Sequence, residues 1–221
     1  EIFFTRTVAT KAKATVERRE YAPRRRRERA SEEEQDQEAR GQTIVINNLQ
    51  IFYSQLQEDG SWSKPTNELS MNNVNYSVGH PTLSPDGKML VYMSDRKGGR
   101  GGTDLYFSMR KEDSTWTPPK NMGPVINTKG NDVSPFYHPV HNVLYFSSNG
   151  QLLNFGNFDI YKAHLVDGVW QEPKNIGPLV NGWGDEYFFT IDSGSDQLYY
   201  ARSEYHDMRN LDLYSFPLPM G

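Results

Sequence analysis

A twelve-residue segment occurs twice in this chain. Trp116-Thr117-Pro118-Pro119-Lys120-Asn121-Met122-Gly123-Pro124-Val125-Ile126-Asn127 returns as Trp170-Gln171-Glu172-Pro173-Lys174-Asn175-Ile176-Gly177-Pro178-Leu179-Val180-Asn181. A fainter copy opens at Trp62 and runs Trp62-Ser63-Lys64-Pro65-Thr66-Asn67-Glu68-Leu69. The steps from Trp62 to Trp116 and from Trp116 to Trp170 are each 54 residues. A period of that length means an array of like supersecondary units, each covering its apolar face with the next.

The content of one unit sets its architecture. His80-Pro81-Thr82-Leu83 reads as a short strand, and Ser84-Pro85-Asp86-Gly87-Lys88 as a tight turn. Pro presets φ there, Asp caps the turn, and Gly takes the left-handed position. Met89–Ser94 and Thr103–Met109 read as the next two strands, joined by Gly98-Gly99-Arg100-Gly101-Gly102, and a fourth strand forms around Trp116. The 13 Tyr, 11 Phe and 4 Trp suit sheets, and the 18 Gly and 13 Pro suit many turns. Four short strands per unit followed by a crossing to the next is the blade of a β-propeller, so the fold class is all-β.

The spacing divides the chain. Residues 1–8 supply a strand of an incomplete first blade and 44–76 its remainder. Residues 77–130 form the second blade, 131–183 the third, 184–216 an incomplete fourth, and 217–221 a tail. The first lacks its innermost strand and the last its outermost. The chain opens in mid-blade, which makes it the expected piece of a larger ring. Between the two parts of the first blade, residues 9–43 read as a charged, flexible insertion. Tyr21 is its one aromatic residue, too little apolar surface to offset ordering entropy.

Charge weighs against one broad class. Residues 1–40 hold 11 basic and 9 acidic side chains, so the rest of the chain is acidic within a net charge of −4. An acidic repeat body disfavours phosphate-backbone binding. A nucleic-acid arm through Arg24–Arg29 remains the third reading, weakened by Glu32-Glu33-Glu34 beside it. With no cysteine, disulfides and thiolate metal sites are excluded.

Ser84-Pro85-Asp86-Gly87-Lys88 followed by Asp104-Leu105-Tyr106 resembles the WD40-like blade of TolB-type propellers. The longer pattern is more specific: Gly-Gly-x-Asp-Leu-Tyr, then Trp-x-x-Pro-x-Asn-Met-Gly-Pro-x-Ile-Asn-Thr, then Asn131-Asp132. It is similar to the propeller of Bacteroidota cell-envelope proteins that carry an OmpA-like, peptidoglycan-binding domain. They include the peptidoglycan-associated lipoproteins of the type IX secretion system. The likeness covers roughly residues 44–216. It implies a periplasmic, outer-membrane-associated scaffold whose partners are other envelope or secretion proteins. It implies no nucleic acid and no membrane span, with peptidoglycan reached through other domains. The chain shows no lipobox cysteine, tetratricopeptide segment or OmpA-like segment, so anchoring and peptidoglycan contact do not carry over to these residues.

The recurrent residues read as structural. Trp62, Trp116 and Trp170 are expected between adjacent blades, and Asp104, Asp159 and Asp212 are expected to accept hydrogen bonds from the loops before them. The glycine-rich loop lacks the Gly-Lys-Ser/Thr ending of a phosphate loop. His138 and His141, with Pro139 between them, do not make a zinc set. No Gly-x-Ser-x-Gly nucleophile motif or sialidase-type Asp-box is present, so the reading is non-enzymatic, without cofactor. Aligning Val78-Gly79-His80, Asp132-Val133-Ser134 and Asp185-Glu186-Tyr187 puts a partner-binding rim at one ring end: His80, Asp132, Asp185, Glu186 and Tyr187. The enzymatic alternative is the substrate-binding propeller of a TolB-like peptidase or glycan-active hydrolase, with catalysis outside these residues.

Overall fold

The computed structural model describes residues 1–14, 42–204, 206 and 210–218, and they contain strands and turns but no helix. Strands β1 (Ile2–Ala14) and β2 (Gln42–Ser54) form an antiparallel hairpin, continued by a Tyr53–Thr66 bridge. The second sheet runs β3 (Val78–Leu83), β4 (Met89–Ser94), β5 (Asp104–Met109), β6 (Lys120–Asn121) in spatial order. The third holds β7 (Asp132–Tyr137), β8 (Val143–Ser148) and β9 (Asp159–Val166), with β10 (Val169–Trp170) and β11 (Lys174–Asn175) both on β9. The last is β12 (Asp185–Ile191), β13 (Gln197–Ser203), β14 (Asp212–Pro217).

The strand pairing reaches further into the charged segment than the composition indicated. Residues 9–14 and 42–43 belong to the hairpin, paired as far as Ala14 opposite Gln42. A paired backbone needs no apolar side chains to satisfy its N–H and C=O groups. The remainder of that segment, with Arg24–Arg29, lies outside the described residues.

The core sits between sheets. Alternation along a strand sends neighbouring side chains to opposite faces. In β4, Leu90 and Tyr92 face the hairpin and join Ile51, Met71, Val78, Tyr106 and Trp116. Val91 and Met93 face the third sheet and join Leu105, Ile126, Leu144 and Phe146. Ile160, Val180, Phe189, Ile191, Leu198 and Tyr200 fill the next gap. Each inner sheet is therefore covered on both faces, which explains continuous runs such as Met89–Met93 in place of polar–apolar alternation. Among the described residues the strands of the hairpin and those of the last sheet are not in contact.

The repeated Asn-x-x-x-x-x-Asn is a latch. Asn127 Oδ1 accepts the Leu105 N–H at 2.8 Å, and its Nδ2 donates to Leu105 O at 2.9 Å and Asn121 Oδ1 at 2.8 Å. Asn121 Nδ2 donates to Asp104 Oδ2 at 2.8 Å, and Asp104 accepts the N–H groups of Arg100 and Gly101. Asn181, Asn175 and Asp159 repeat the set on Ile160, Phe155 and Gly156. In the first unit Asn72 does the same for Ile51, and Gln50 takes the place of the aspartate, accepting from Asn67 at 2.5 Å. Gly123 and Gly177, at φ 80° and 90°, turn the chain between the two asparagines.

Two structural expectations need correction. Trp62 is 52% exposed because it bridges Leu56 on the outer side of the first unit, away from the inter-sheet cores. Trp116 is buried against Phe3, edge-on at 6.1 Å, and half-buried Trp170 meets Tyr137 at 5.9 Å. Asp212 is exposed, since no counterpart of Asn121 or Asn127 follows it among the described residues.

The latch predicts a large penalty for a small change. Asn127→Ala leaves the buried Leu105 N–H without a partner, while Leu105 O keeps the Met122 N–H, and is expected to cost about 2–4 kcal/mol. Trp116→Ala is expected to cost about 3–5 kcal/mol, and Trp62→Ala less than about 1 kcal/mol. Urea unfolding midpoints of the three variants measure this order.

Candidate functional site

The first strand of each of the last three sheets breaks its ladder at the same place. Pairing shifts between Gly79 and Thr82, between Val133 and Phe136, and between Tyr187 and Thr190. Each shift is a β-bulge, one extra residue that re-aims a side chain. The residues at its centre, His80, Ser134 and Phe188, have φ of 51°, 50° and 52°. That left-handed conformation is costly away from glycine, and three non-glycine residues hold it in register.

The bulges converge. His80 comes from the second sheet and Phe188 from the last, yet their rings meet edge-on at 5.1 Å. His80 N–H donates to Thr5 Oγ1 of the hairpin at 2.8 Å. Ser134 N–H donates to His80 Nδ1 at 3.3 Å, with Ser134 Oγ 3.4 Å from the same atom. A backbone N–H can only donate, so Nδ1 is the acceptor and the neutral ring carries its proton on Nε2. Burial pushes the His80 imidazole down to about 4. The three side chains, with Thr82, Phe136 and Phe189, line an axial cavity of about 200 Å³. It offers an imidazole N–H, hydroxyls and aromatic faces. That combination is complementary to a partly polar, partly apolar group.

Of the expected rim, only His80 lines this cavity. The others are not a solvent-facing acidic surface. Asp132 is fully buried and accepts from Thr128 N–H at 2.6 Å and Ser148 Oγ at 2.6 Å. Glu186 is fully buried, bonded by Arg202 Nε at 2.7 Å and Gly182 N–H at 3.2 Å. Burial raises both carboxyls above the usual range. Asp185 is buried between Phe158 N–H and His206 Nδ1. Tyr187 is buried with its hydroxyl donating to Asp185, and burial raises its phenol too.

The alignment that grouped Asp185-Glu186-Tyr187 with Val78-Gly79-His80 is one residue out of step. Gly182 N–H to Glu186 matches Thr128 N–H to Asp132, so Glu186 is the partner of Asp132 and Phe188 the partner of His80. The signal was present: the 54-residue period of the tryptophans carries His80 to Ser134 and then to Phe188.

Other candidates resolve as structure. The glycine loop is a turn fastened to Asp104, with Gly101 pressed on Gly130 O. His138 Nδ1 accepts the N–H groups of Val140 and His141. No group of His, Asp and Glu suited to a metal occurs among the described residues. A larger cleft of about 310 Å³ lies between the hairpin and the second sheet, where Arg110 stacks on Trp116 at 4.8 Å and pairs with Glu1.

No protein-family model matches the chain, and no curated protein matches it. Solved structures do. The endo-arabinase of Bacteroides thetaiotaomicron superposes with a TM-score of 0.50 at 16% identity, over 79% of this chain and 67% of that one. A protein assigned as TolB from Agrobacterium tumefaciens superposes with a TM-score of 0.48 at 17% identity, over 76% of this chain and 57% of that one. The α-L-arabinofuranosidase of Lactobacillus brevis gives 0.46 at 12%, over 77% of this chain and 62% of that one. The likeness to the arabinase shows the fold: the chain is a β-propeller. It spans between about half and two thirds of the length of these structures. No helix among the described residues is long and apolar enough to cross a membrane.

The buried imidazole has a pH signature. Between pH 6.5 and about 4 the unfolded chain binds a proton that folded His80 refuses. Stability is therefore expected to fall as pH drops through that window. His80→Gln is expected to flatten that part of the profile. Denaturant titrations at several pH values, with the His80 ring followed by NMR, measure both.

Proposed function

We propose that the chain is a non-enzymatic binding and scaffolding propeller of a bacterial cell-envelope protein, periplasmic and outer-membrane associated. It works in a secretion or peptidoglycan-associated assembly. The observation that carries the reading is where the carboxylates go. Asp104, Asp132 and Asp159 each accept backbone N–H groups of their own loops, and Glu186 is held by Arg202. Glycoside hydrolysis uses two carboxyl groups facing one bond. These four carboxylates are committed to bonds within the chain, while the converging bulges present His80, Ser134 and Phe188. A frame built from repeated residues that carries three different side chains at one axial position supports binding of a partner group there. The envelope location rests on the sequence resemblance.

The second reading is the substrate-binding propeller of a TolB-like peptidase or glycan-active hydrolase. The observation favouring it is the axial cavity itself, small and lined by aromatic rings and hydroxyls.

Cross-linking in the native cell envelope, followed by affinity purification and mass spectrometry, separates the two. The scaffold reading expects outer-membrane or secretion proteins that are recovered with the wild type and depleted with His80→Ala. Recovery of the protein alone, together with turnover of arabinan or peptide substrates by the intact native protein, would establish the hydrolase reading.

A further inference from the structure

The second and third sheets carry the same pair of loops at one end of the molecule, and the backbone contacts match. Arg100 and Gly101 donate their N–H groups to Asp104, as Phe155 and Gly156 do to Asp159. A Cβ added to Gly101 would lie 2.0 Å from Gly130 O, and one added to Gly156 would lie 2.0 Å from Gly184 O. The side chains are not alike. Where the second sheet places Lys97, Gly98, Arg100 and Lys129, the third places Leu152, Leu153, Phe155 and Trp183. The frame thus folds with polar residues at these positions and does not require apolar ones.

The apolar set is left in water. Leu152 is 97% exposed, Leu153 76%, Phe155 52% and Trp183 93%. Residues 149–158 and 181–184 contain no charged side chain, in a chain that is 24% charged. The loop backbone is held firmly, with Leu153 O accepting from Asn175 Nδ2 at 3.0 Å and from the Tyr161 hydroxyl. These are fixed apolar tips, and a contiguous exposed apolar patch marks an interaction site. The patch adjoins the cationic loops: Gly130 meets Gly150, and Gln151 Nε2 donates to Ile126 O at 3.3 Å. Lys97, Arg100 and Lys129 are all exposed.

We propose that this end of the propeller binds a phospholipid membrane surface. Leu152, Leu153, Phe155 and Trp183 insert at the headgroup–acyl boundary, and Lys97, Arg100 and Lys129 lie on anionic headgroups. Area and chemistry select a bilayer over a protein. Two aromatic rings at roughly 150–250 Å² each and two leucines make a smaller patch than the roughly 800 Å² per partner in a stable protein interface. Exposed Trp beside Leu and Phe, flanked by Lys and Arg, matches the chemistry of an interfacial anchor. The proposal is independent of the envelope reading, because binding to pure lipid requires no envelope partner.

The test is co-flotation of the full chain with vesicles of phosphatidylethanolamine and phosphatidylglycerol, and with vesicles of phosphatidylcholine alone. Binding is expected to be stronger to the anionic vesicles. It is expected to fall by about tenfold or more in Leu152→Gln/Trp183→Gln, where two large apolar side chains no longer insert. Lys97→Gln/Lys129→Gln is expected to lose the anionic preference and keep the apolar binding. Adding vesicles is expected to shift tryptophan emission to the blue in the wild type and not in Trp183→Phe. All substituted positions are exposed, and unchanged unfolding midpoints confirm that each variant is folded. Absence of flotation, or flotation unaffected by Leu152→Gln/Trp183→Gln, overturns the proposal. So does a dimer in sedimentation equilibrium that this variant abolishes, which would make a second copy of the chain the occupant.

Discussion

The side-chain amide of Asn127 closes two hydrogen bonds on the backbone of one residue, Leu105, and a third on Asn121. The outermost strand β6 pairs with only two residues of β5, so Leu105 beyond them turns its N–H and C=O to the crossing segment. Burying an N–H unpaired is costly, and an asparagine amide offers a carbonyl acceptor and an NH₂ donor side by side, matching the N–H and C=O of one residue. The same bonds fix Asn121, which fixes Asp104, which holds the loop from the preceding strand. One short segment thereby sets the sheet edge, the exit of the chain and the loop beside it, where Arg100 Nε donates to Asn127 O at 3.1 Å. Repetition at Asn181 and Asn72 gives each sheet the same shape, so each can bury its faces on the next.

That uniformity gives meaning to the positions where the units differ. At the centre of the inner strands the bulge geometry is common to three sheets, while the side chains are imidazole, hydroxyl and phenyl. At the loop ends the Asp-anchored turn is common to two sheets, while one bears lysine and arginine and the other leucine, phenylalanine and tryptophan. Residues that recur serve the frame, and residues that vary on an unvarying backbone are free to serve contact with something else. The buried carboxylates follow the same logic: Asp132 and Glu186 occupy equivalent places and are both consumed by hydrogen bonds within the chain.

Much of the frame was legible because packing demands periodicity. The spacing of the tryptophans reported the unit length, and the Ser84–Lys88 turn reported a hairpin. The aspartates ahead of Leu105 and Ile160 reported anchored loops, which the bonds to Arg100 and Phe155 match. The tryptophans themselves were less informative, because Trp62 opens a fainter copy of the Trp116 segment but lies on the outer side of the first unit, bridged to Leu56. The acidic rim failed for a related reason. Charge in a sequence indicates exposure on average, yet Asp132, Asp185 and Glu186 are buried where loop N–H groups and Arg202 compensate them.

The amino-acid sequence by itself determined the repeat, the all-β class, the turns and the blade order, since these depend on local propensity and on a period that each unit shares. Only the tertiary structure decided which residues meet. The contact of His80 with Phe188 joins strands more than a hundred residues apart, and depends on bulges whose backbone conformation no local pattern announces. The exposure of Leu152 and Trp183 was equally hidden, because an apolar residue in a loop is buried or bare according to the neighbouring sheet. Spacing reports how a unit packs on its neighbour, and the placement of side chains around the common axis follows only when the sheets are assembled.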